Sequence, residues 1–350
     1  MRGLSRPAGL VALLLVLAVH AGTALAQSAS PARRAVRLSL DHAPFGANGA
    51  FVLGQARGYF AAEGIDVTID GSSGSADAVT RVASGAYDAG YADIGTLAEF
   101  WARNGGASNP ATPRAVFMIL DRSPAAVITL KSSRIMRLAD LVGRRLGTTN
   151  ADGASRLLPA VLARNGIALD RVNRQVADQR LRDTLLLRGD VDAVCGFDFT
   201  VIFNLVGQKV PVDQIVVLPY ADNGLDLYAN ALIVSRPLLE GPREVVQGLA
   251  RAVARSWVSA AAEPDATIAA LVARDALLDP ALERRRLDYV MQNNVMTTRT
   301  REGGLGRVDV RRLDEGLQRM AEAFGLPQVP TAADLYDSRF QPALPDRRFR

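Results

Sequence analysis

The chain reads as an α/β protein built from two similar units, each a mainly parallel sheet flanked by helices, followed by a helical tail. Three observations carry this. Strand-like and helix-like runs alternate from Ala35 to Leu120 and again from Ala126 to Pro219. Each half holds a loop of small residues just before a helix, Gly71–Ser75 and Asn150–Ser155. After Tyr228–Val234 the grammar changes to long amphipathic helices.

The first unit opens with Ala35–Leu40, an alternating strand that ends in the loop Asp41-His42-Ala43-Pro44-Phe45-Gly46. Helical periodicity follows through Phe51–Phe60 and stops at Gly64, and Val67-Thr68-Ile69 is a second strand. The loop Gly71-Ser72-Ser73-Gly74-Ser75 feeds a helix with Ala76, Val79, Val82 and Ala83 on one face, and Gly85 sits where a C-terminal stop is expected. Such a loop offers free backbone N–H groups and a positive dipole end to an anionic or carbonyl-bearing ligand. Ser73 and Ser75 serve equally well as plain N-caps. A strand through Tyr87–Asp93, a helix Leu97–Ala102 and a strand Ala115–Leu120 complete the unit. In open sheets ligands bind beyond the carboxyl ends of the strands, which puts Asp41, Ser73–Ser75 and Tyr91–Asp93 on one rim.

The second unit repeats the pattern: strands at Ala126–Leu130, from Arg145, at Val191–Cys195 and at Ile215–Pro219, with helices at Leu138–Val142, Leu157–Asn165 and Arg180–Leu187. The loops at 71–75 and 150–155 are expected to hold equivalent positions in the two halves. Pro242–Ala262, Pro264–Ala273, Pro280–Asn293 and Val308–Phe324 are the later helices, three of them opened near a proline. Residues 327–350 are rich in proline and charge and are expected to run over the surface.

Composition narrows the function. Of 350 residues, 49% are hydrophobic and 22% charged, which fits a folded chain with a sizeable core. Arg2 and Arg6, the apolar Leu10–Val19 and Ala24-Leu25-Ala26 form a secretory signal over 1–26, too short in its apolar run to span a membrane. Residues 27–34 read as a leader. No cysteine follows the cleavage point, so no lipid anchor is expected and the protein belongs in the periplasm. The one cysteine, Cys195, has no partner for an internal disulfide and is expected to be buried. The formal net charge is +5, with Arg2 and Arg6 inside the signal, which argues for no nucleic-acid partner. With two histidines and one cysteine the chain lacks the usual metal-ligand clusters, and Gly71-Ser72-Ser73-Gly74 lacks the spacing and lysine of a nucleotide loop. No cofactor is expected. Trp101 and Trp257 sit in helix-like runs and read as packing residues.

Four segments in register resemble one family. Arg57–Val67 (RGYFAAEGIDV), Val82–Asp88 (VASGAYD), Asp140–Gly147 (DLVGRRLG) and Leu187–Phe197 resemble bacterial ABC-transporter solute-binding proteins serving nitrate, alkanesulfonates, taurine and thiamine-pyrimidine precursors. The resemblance spans residues 36–260. It implies a two-lobed periplasmic-binding-protein-like fold of type II, with lobe I at 35–123 and 226–326, lobe II at 124–225, and a ligand in the cleft between them. It also implies a monomer that hands its ligand to a membrane permease and ATPase. Leu40-Asp41-His42-Ala43-Pro44 resembles the thiamine-pyrimidine branch more than the sulfonate branch, and that branch holds an aminopyrimidine between aromatic rings and carboxylates.

The ligand contacts expected on this basis are Asp41, His42, Phe45, Ser73, Gly74, Ser75, Tyr91, Asp93, Gly153, Ser155, Phe197, Asp198 and Tyr228. Carboxylates accept from amino-pyrimidine N–H groups and aromatics stack on the ring, whereas a sulfonate wants donors. An alkanesulfonate would rely instead on Ser73, Ser75 and Ser155. Asp93 and Asp198 compete with N-cap roles for the helices that follow them. A fungal pyrimidine synthase resembles this branch and uses a cysteine-rich segment and a histidine. The corresponding Cys195–Phe199 here holds one cysteine, so an enzyme is not expected.

Overall fold

The computed structural model describes residues 33–150 and 152–349, with only the backbone of Gln179, Arg180, Ala323 and Phe324. The expected signal segment and nearly all of the leader lie outside the described residues. Among the described residues, ten strands form two five-stranded sheets. The first contains β1 (Arg34–Ser39), β2 (Ile65–Asp70), β3 (Ala89–Asp93) and β4 (Arg114–Met118). The second contains β5 (Ala125–Leu130), β6 (Arg145–Thr148), β7 (Asn173–Val176), β8 (Ala193–Phe197) and β9 (Ile215–Pro219), after which β10 (Asn230–Val234) returns to the first.

The orders are β2-β1-β3-β10-β4 and β7-β6-β8-β5-β9, the same arrangement twice. β1 is parallel to β2 and β3, and β6 to β7 and β8, while β10 and β5 run antiparallel to both their neighbours. Each sheet is therefore mixed, with one reversed strand. The reason is connectivity. The segments 119–124 and 220–229 leave one sheet at the carboxyl edge of its parallel strands and enter the other at that same edge. A strand begun there, with no crossover helix to carry the chain back, must run the opposite way.

This alignment corrects one expectation. β7 is short, polar and exposed at all four positions, an edge strand with no apolar alternation to reveal it. Once it is counted, the loop at 150–155 follows β6 and matches the loop after β1, not Gly71–Ser75, which follows β2. The two small-residue loops are not equivalent. Two further differences follow from local chemistry. The helix expected through Phe51–Phe60 is two, Gly49–Ala56 and Tyr59–Ala62, broken at Gly58 with φ +70°. The helix Pro280–Val290 passes into a π-helical turn at Met291–Val295.

The main core sits between the first sheet and its helices. Trp257, on the helix Arg243–Ala262, stands edge-on to Phe51 at 6.0 Å and lies 6.1 Å from Tyr91, with none of its surface exposed. Trp101 is buried too, and so is Cys195, as expected. Glu63 takes Arg251 at 2.6 Å and Arg255 at 3.3 Å, tying the long helix to the loop before β2. Residues 327–349 are held more firmly than surface chain. Tyr336 bridges to Ala115 beside β4, and Leu335, Tyr336 and Phe340 are buried, because an unpaired sheet edge and an apolar shelf are available to them.

Gly54 marks the closest approach of Gly49–Ala56 to Arg243–Ala262, since a Cβ there would land on the side chain of Ser256. Gly54→Ala is expected to lose about 1–3 kcal/mol by overpacking. Urea unfolding should show a lower midpoint at unchanged slope. An unmoved midpoint would show that the two helices are not in close register.

Candidate functional site

The carboxyl edges of the two sheets face each other across a cleft of about 1080 Å³. One wall comes from the first sheet, His42–Phe45 after β1 and Ser72–Ser73 after β2. The other comes from Thr149 and Asn150 after β6, Val176–Asp178 after β7, Arg182, and Thr200 and Asn204 on the helix Asp198–Gly207. Asp275 and Leu278, from the turn after the helix Pro264–Arg274, and Glu283 and Arg286, on the helix Pro280–Val290, line one end. A smaller hollow of about 370 Å³, lined by Phe203, Ile215, Arg285 and Tyr289 among others, takes nothing from the strand-end loops.

Of the residues expected at the cleft, His42, Phe45 and Ser73 line it. Phe45 is flanked by His42 at 5.7 Å and Phe199 at 6.3 Å between ring centroids, and the Arg286 guanidinium stands 4.9 Å over its ring. The others are engaged elsewhere. Asp41 is buried, accepts from Asn230 Nδ2 at 2.7 Å and lies 3.4 Å from His42 Nδ1, so it joins the loop after β1 to β10. Tyr91 packs in the aromatic core against Phe51 and Trp257. Burial, with Asp41 and Asp93 nearby, holds its hydroxyl well above the usual tyrosine range.

Asp93 is the N-cap of the helix Ile94–Arg103, its Oδ1 accepting from Thr96 N at 2.8 Å. Gly74 is buried in the turn before the helix Ser75–Ala83, with φ 127°. Ser75 Oγ accepts from Asp93 N at 3.1 Å, and Ser155 Oγ from Thr149 N at 3.0 Å. Gly153 packs where a Cβ would stand 3.1 Å from Asp93 Cβ and 3.2 Å from Phe197 Cζ, so the two sheets already touch there. Asp198 is not a cap. It is the first residue of its helix, and its Oδ2 accepts from Tyr289 OH at 3.2 Å. Tyr228 lies under the helix Val310–Phe324, its hydroxyl accepting from Asp309 N at 2.8 Å and its ring covered by Arg312 at 4.1 Å.

A chain of polar contacts runs along the cleft. Gly46 N donates to Glu283 Oε2 at 2.6 Å, and Glu283 pairs with Arg286 at 3.1 Å. Arg286 donates to the carbonyl of Phe199 at 3.1 Å and, at 3.4 Å, to Asn204 Oδ1. Asn204 Nδ2 donates to Asp183 at 2.7 Å, Asp183 takes Arg182 Nε at 2.9 Å, and Arg182 Nη1 reaches Asp152 at 2.8 Å. Asp152 caps the helix Gly153–Arg164 through Ala154 N and Ser155 N. Burial works against the charge on Arg182, but Asp183 and Asp152 more than offset it. For Arg286 burial prevails over Glu283 and lowers the guanidinium below its usual range.

Comparison with known proteins agrees with this architecture. The profile of the family described as "NMT1/THI5 like" matches residues 48–267, more than half of the chain. The chain belongs to the NMT1/THI5-like family. A riboflavin-binding protein, RibY of Chloroflexus aurantiacus, is 26% identical over 270 residues, covering 73% of this chain and 74% of that protein. Among solved structures, the alkanesulfonate-binding protein SsuA of Xanthomonas axonopodis pv. citri, bound to MOPS, superposes with a TM-score of 0.68 at 16% identity, over 89% of this chain and all of that one. The periplasmic nitrate-binding protein NrtA of Synechocystis PCC 6803 gives 0.65 at 10% identity, over 89% and 88%. At these identities the structural likeness is one of fold. The family likeness covers β2 to β10 and the whole of Arg243–Ala262, but stops short of Glu283 and Arg286.

Sequence reasoning missed Arg182, Asn204, Glu283 and Arg286. Arg182 lies in a run, Arg180–Leu187, that reads as an ordinary solvated helix, and Glu283 and Arg286 lie among consecutive arginines with the same appearance. An i,i+3 acid–base pair was the only available signal, and most such pairs are surface pairs.

Two of the buried carboxyls titrate late. Burial raises Asp93 to about 6 and Asp198 to about 7, against hydrogen bonds from Thr96 and from Phe199 and Tyr289. Protonated in the fold and ionised when unfolded, Asp198 contributes stability that is complete below its unfolded value near 4 and is lost as pH rises through about 7. Asp198→Asn cannot ionise, keeps Oδ1 as the acceptor for Phe199 N, and can donate from Nδ2 to the Tyr289 hydroxyl oxygen. Its melting temperature is expected to fall less than that of the wild type between pH 5 and 8, and parallel curves would refute the assignment.

Proposed function

We propose that this chain is the periplasmic solute-binding subunit of an ABC importer, and that its cleft captures an uncharged nitrogen heterocycle of the pyrimidine or flavin type. The observation that carries this reading is the charge of the cleft. Among the described residues its lining holds two arginines, Arg182 and Arg286, against Asp178, Asp275 and Glu283. Both arginines already face carboxylates, Arg182 two of them and Arg286 one. A sulfonate or nitrate needs uncompensated donors, and here it would enter beside an excess of acid. A neutral ring with N–H donors and carbonyl or ring-nitrogen acceptors suits the same surface, with Phe45 and His42 offering planar faces at the mouth.

The similarity to a riboflavin-binding protein supports a heterocycle larger than a single pyrimidine, and the thiamine-precursor pyrimidines expected from the Asp41 loop remain within the class. The sulfonate alternative draws its support from fold neighbours alone. The role is one of carriage rather than catalysis. Burial pushes the Cys195 thiol up to about 12, and its sulfur sits 2.7 Å from the Tyr220 hydroxyl behind the cleft wall, a poor nucleophile. Capture proceeds by approach of the two sheets over the ligand, and the closed complex is what a permease would receive.

Thermal-shift titration tests this with riboflavin, formylaminopyrimidine and hydroxymethylpyrimidine on one side and taurine, ethanesulfonate and nitrate on the other. A neutral heterocycle is expected to raise the melting temperature by several degrees at about 100-fold excess over its dissociation constant. The anions are expected to leave it unchanged. Stabilisation by an anion alone would overturn the reading.

A further inference from the structure

The geometry points to a two-donor subsite in the cleft wall, formed by Arg182 Nη2 and Thr200 Oγ1, that takes an uncharged acceptor oxygen of the ligand, a ring or formyl carbonyl. This assignment rests on the reading of the cleft as the site of a neutral heterocycle and specifies which of its atoms is recognised.

Both side chains line the cleft, yet both are buried, Arg182 at 0% and Thr200 at 6% exposure. Arg182 Nη2 and Thr200 Oγ1 are fully buried atoms with no hydrogen-bond partner among the described residues. A buried polar group left without a partner costs about 1–3 kcal/mol, so two of them at one cleft mark a place where something else completes the bonding. The remainder of the guanidinium is committed. Nε donates to Asp183 at 2.9 Å, and Nη1 donates to Asp152 at 2.8 Å and to the Cys195 carbonyl at 3.2 Å. Nη2 therefore has a fixed direction and cannot turn to another partner without breaking those bonds.

Gly196 makes this placement possible. A Cβ on it would stand 2.5 Å from Arg182 Nη1 and 2.8 Å from Val201 Cγ2, so only a bare backbone lets the guanidinium lie against the strand end beside the helix that carries Thr200. Charge then selects the partner. One guanidinium between Asp152 and Asp183 leaves the locality negative, which resists a sulfonate but leaves an N–H free for a carbonyl. A carbonyl oxygen has two lone pairs, so it can accept from both of the donors left open in this wall. The Thr200 hydroxyl adds selectivity, since a ligand without an acceptor leaves both donors unpaired in the closed protein.

Calorimetric titration of the full chain tests this with riboflavin and formylaminopyrimidine, which carry carbonyls, and hydroxymethylpyrimidine, which does not. Thr200→Val removes an oxygen that no described residue uses, so the fold is expected to survive with its melting temperature nearly unchanged. Arg182→Lys keeps a cation for Asp152 and removes Nη2, with circular dichroism as the check on folding. Each variant is expected to weaken the carbonyl ligand that the wild type binds by roughly tenfold, and to change hydroxymethylpyrimidine binding by less than twofold. Wild-type binding of a carbonyl heterocycle that both folded variants retain within twofold would overturn the subsite and leave the proposed function standing. Wild-type binding of taurine or ethanesulfonate alone, or of no member of either panel, would overturn the proposed function and this assignment with it.

Discussion

The buried polar chain from Gly46 N through Glu283, Arg286, Asn204, Asp183 and Arg182 to Asp152 is the constraint on which the rest of the cleft depends. Its charged members are nearly inaccessible, and a buried ion stripped of its partner typically costs 3–5 kcal/mol. The chain therefore acts as one unit in which each residue fixes the next. It begins at the backbone before the helix Gly49–Ala56 on the first sheet and ends at the cap of Gly153–Arg164 on the second. The helix Pro280–Val290 joins the two sheet edges through side chains that also line the cleft.

That arrangement explains why so many polar residues at the rim are not free to meet a ligand. Asp41 holds β10, Asp93 caps a helix, Ser75 holds the end of β3 and Ser155 holds Thr149. In an open α/β sheet the strand ends must satisfy their own backbone donors, and short polar side chains at those positions are the nearest partners. The groups left for recognition are those that the scaffold positions and does not consume. Arg182 Nη2 and Thr200 Oγ1 meet that description, and the aromatic face of Phe45 completes the mouth.

The repeated topology gives the two sheets matched roles. β10 and β5 are the reversed strands, each begun at the cleft edge, and all their residues but the half-buried Leu130 are buried because helices cover both faces. The loops after β1 and β6 correspond, as do those after β2 and β7. The cleft is thus built from paired positions, one from each half, closed at one end by the helix Pro280–Val290, which touches both.

Much of the fold was legible from local pattern. Eight of the ten described strands stood out through apolar runs or alternation, Tyr228–Val234 marked only the change to helices where β10 lies, and β7 is an exposed edge that needs no apolar pattern. Motif order in Arg57–Val67, Val82–Asp88, Asp140–Gly147 and Leu187–Phe197 carried the family. The sequence by itself determined the strand and helix alternation, the two-sheet class and the rim on which a ligand would lie, since each follows from periodicity or from the rule that loops after parallel strands share one edge. Only the tertiary structure decided which rim residues face the cleft. A carboxylate at a strand end has the same local sequence whether it caps a helix or meets a ligand. The difference lies in a partner such as Asn230, 189 residues away from Asp41, or Arg182, 30 residues from Asp152, which folding alone brings within hydrogen-bond reach.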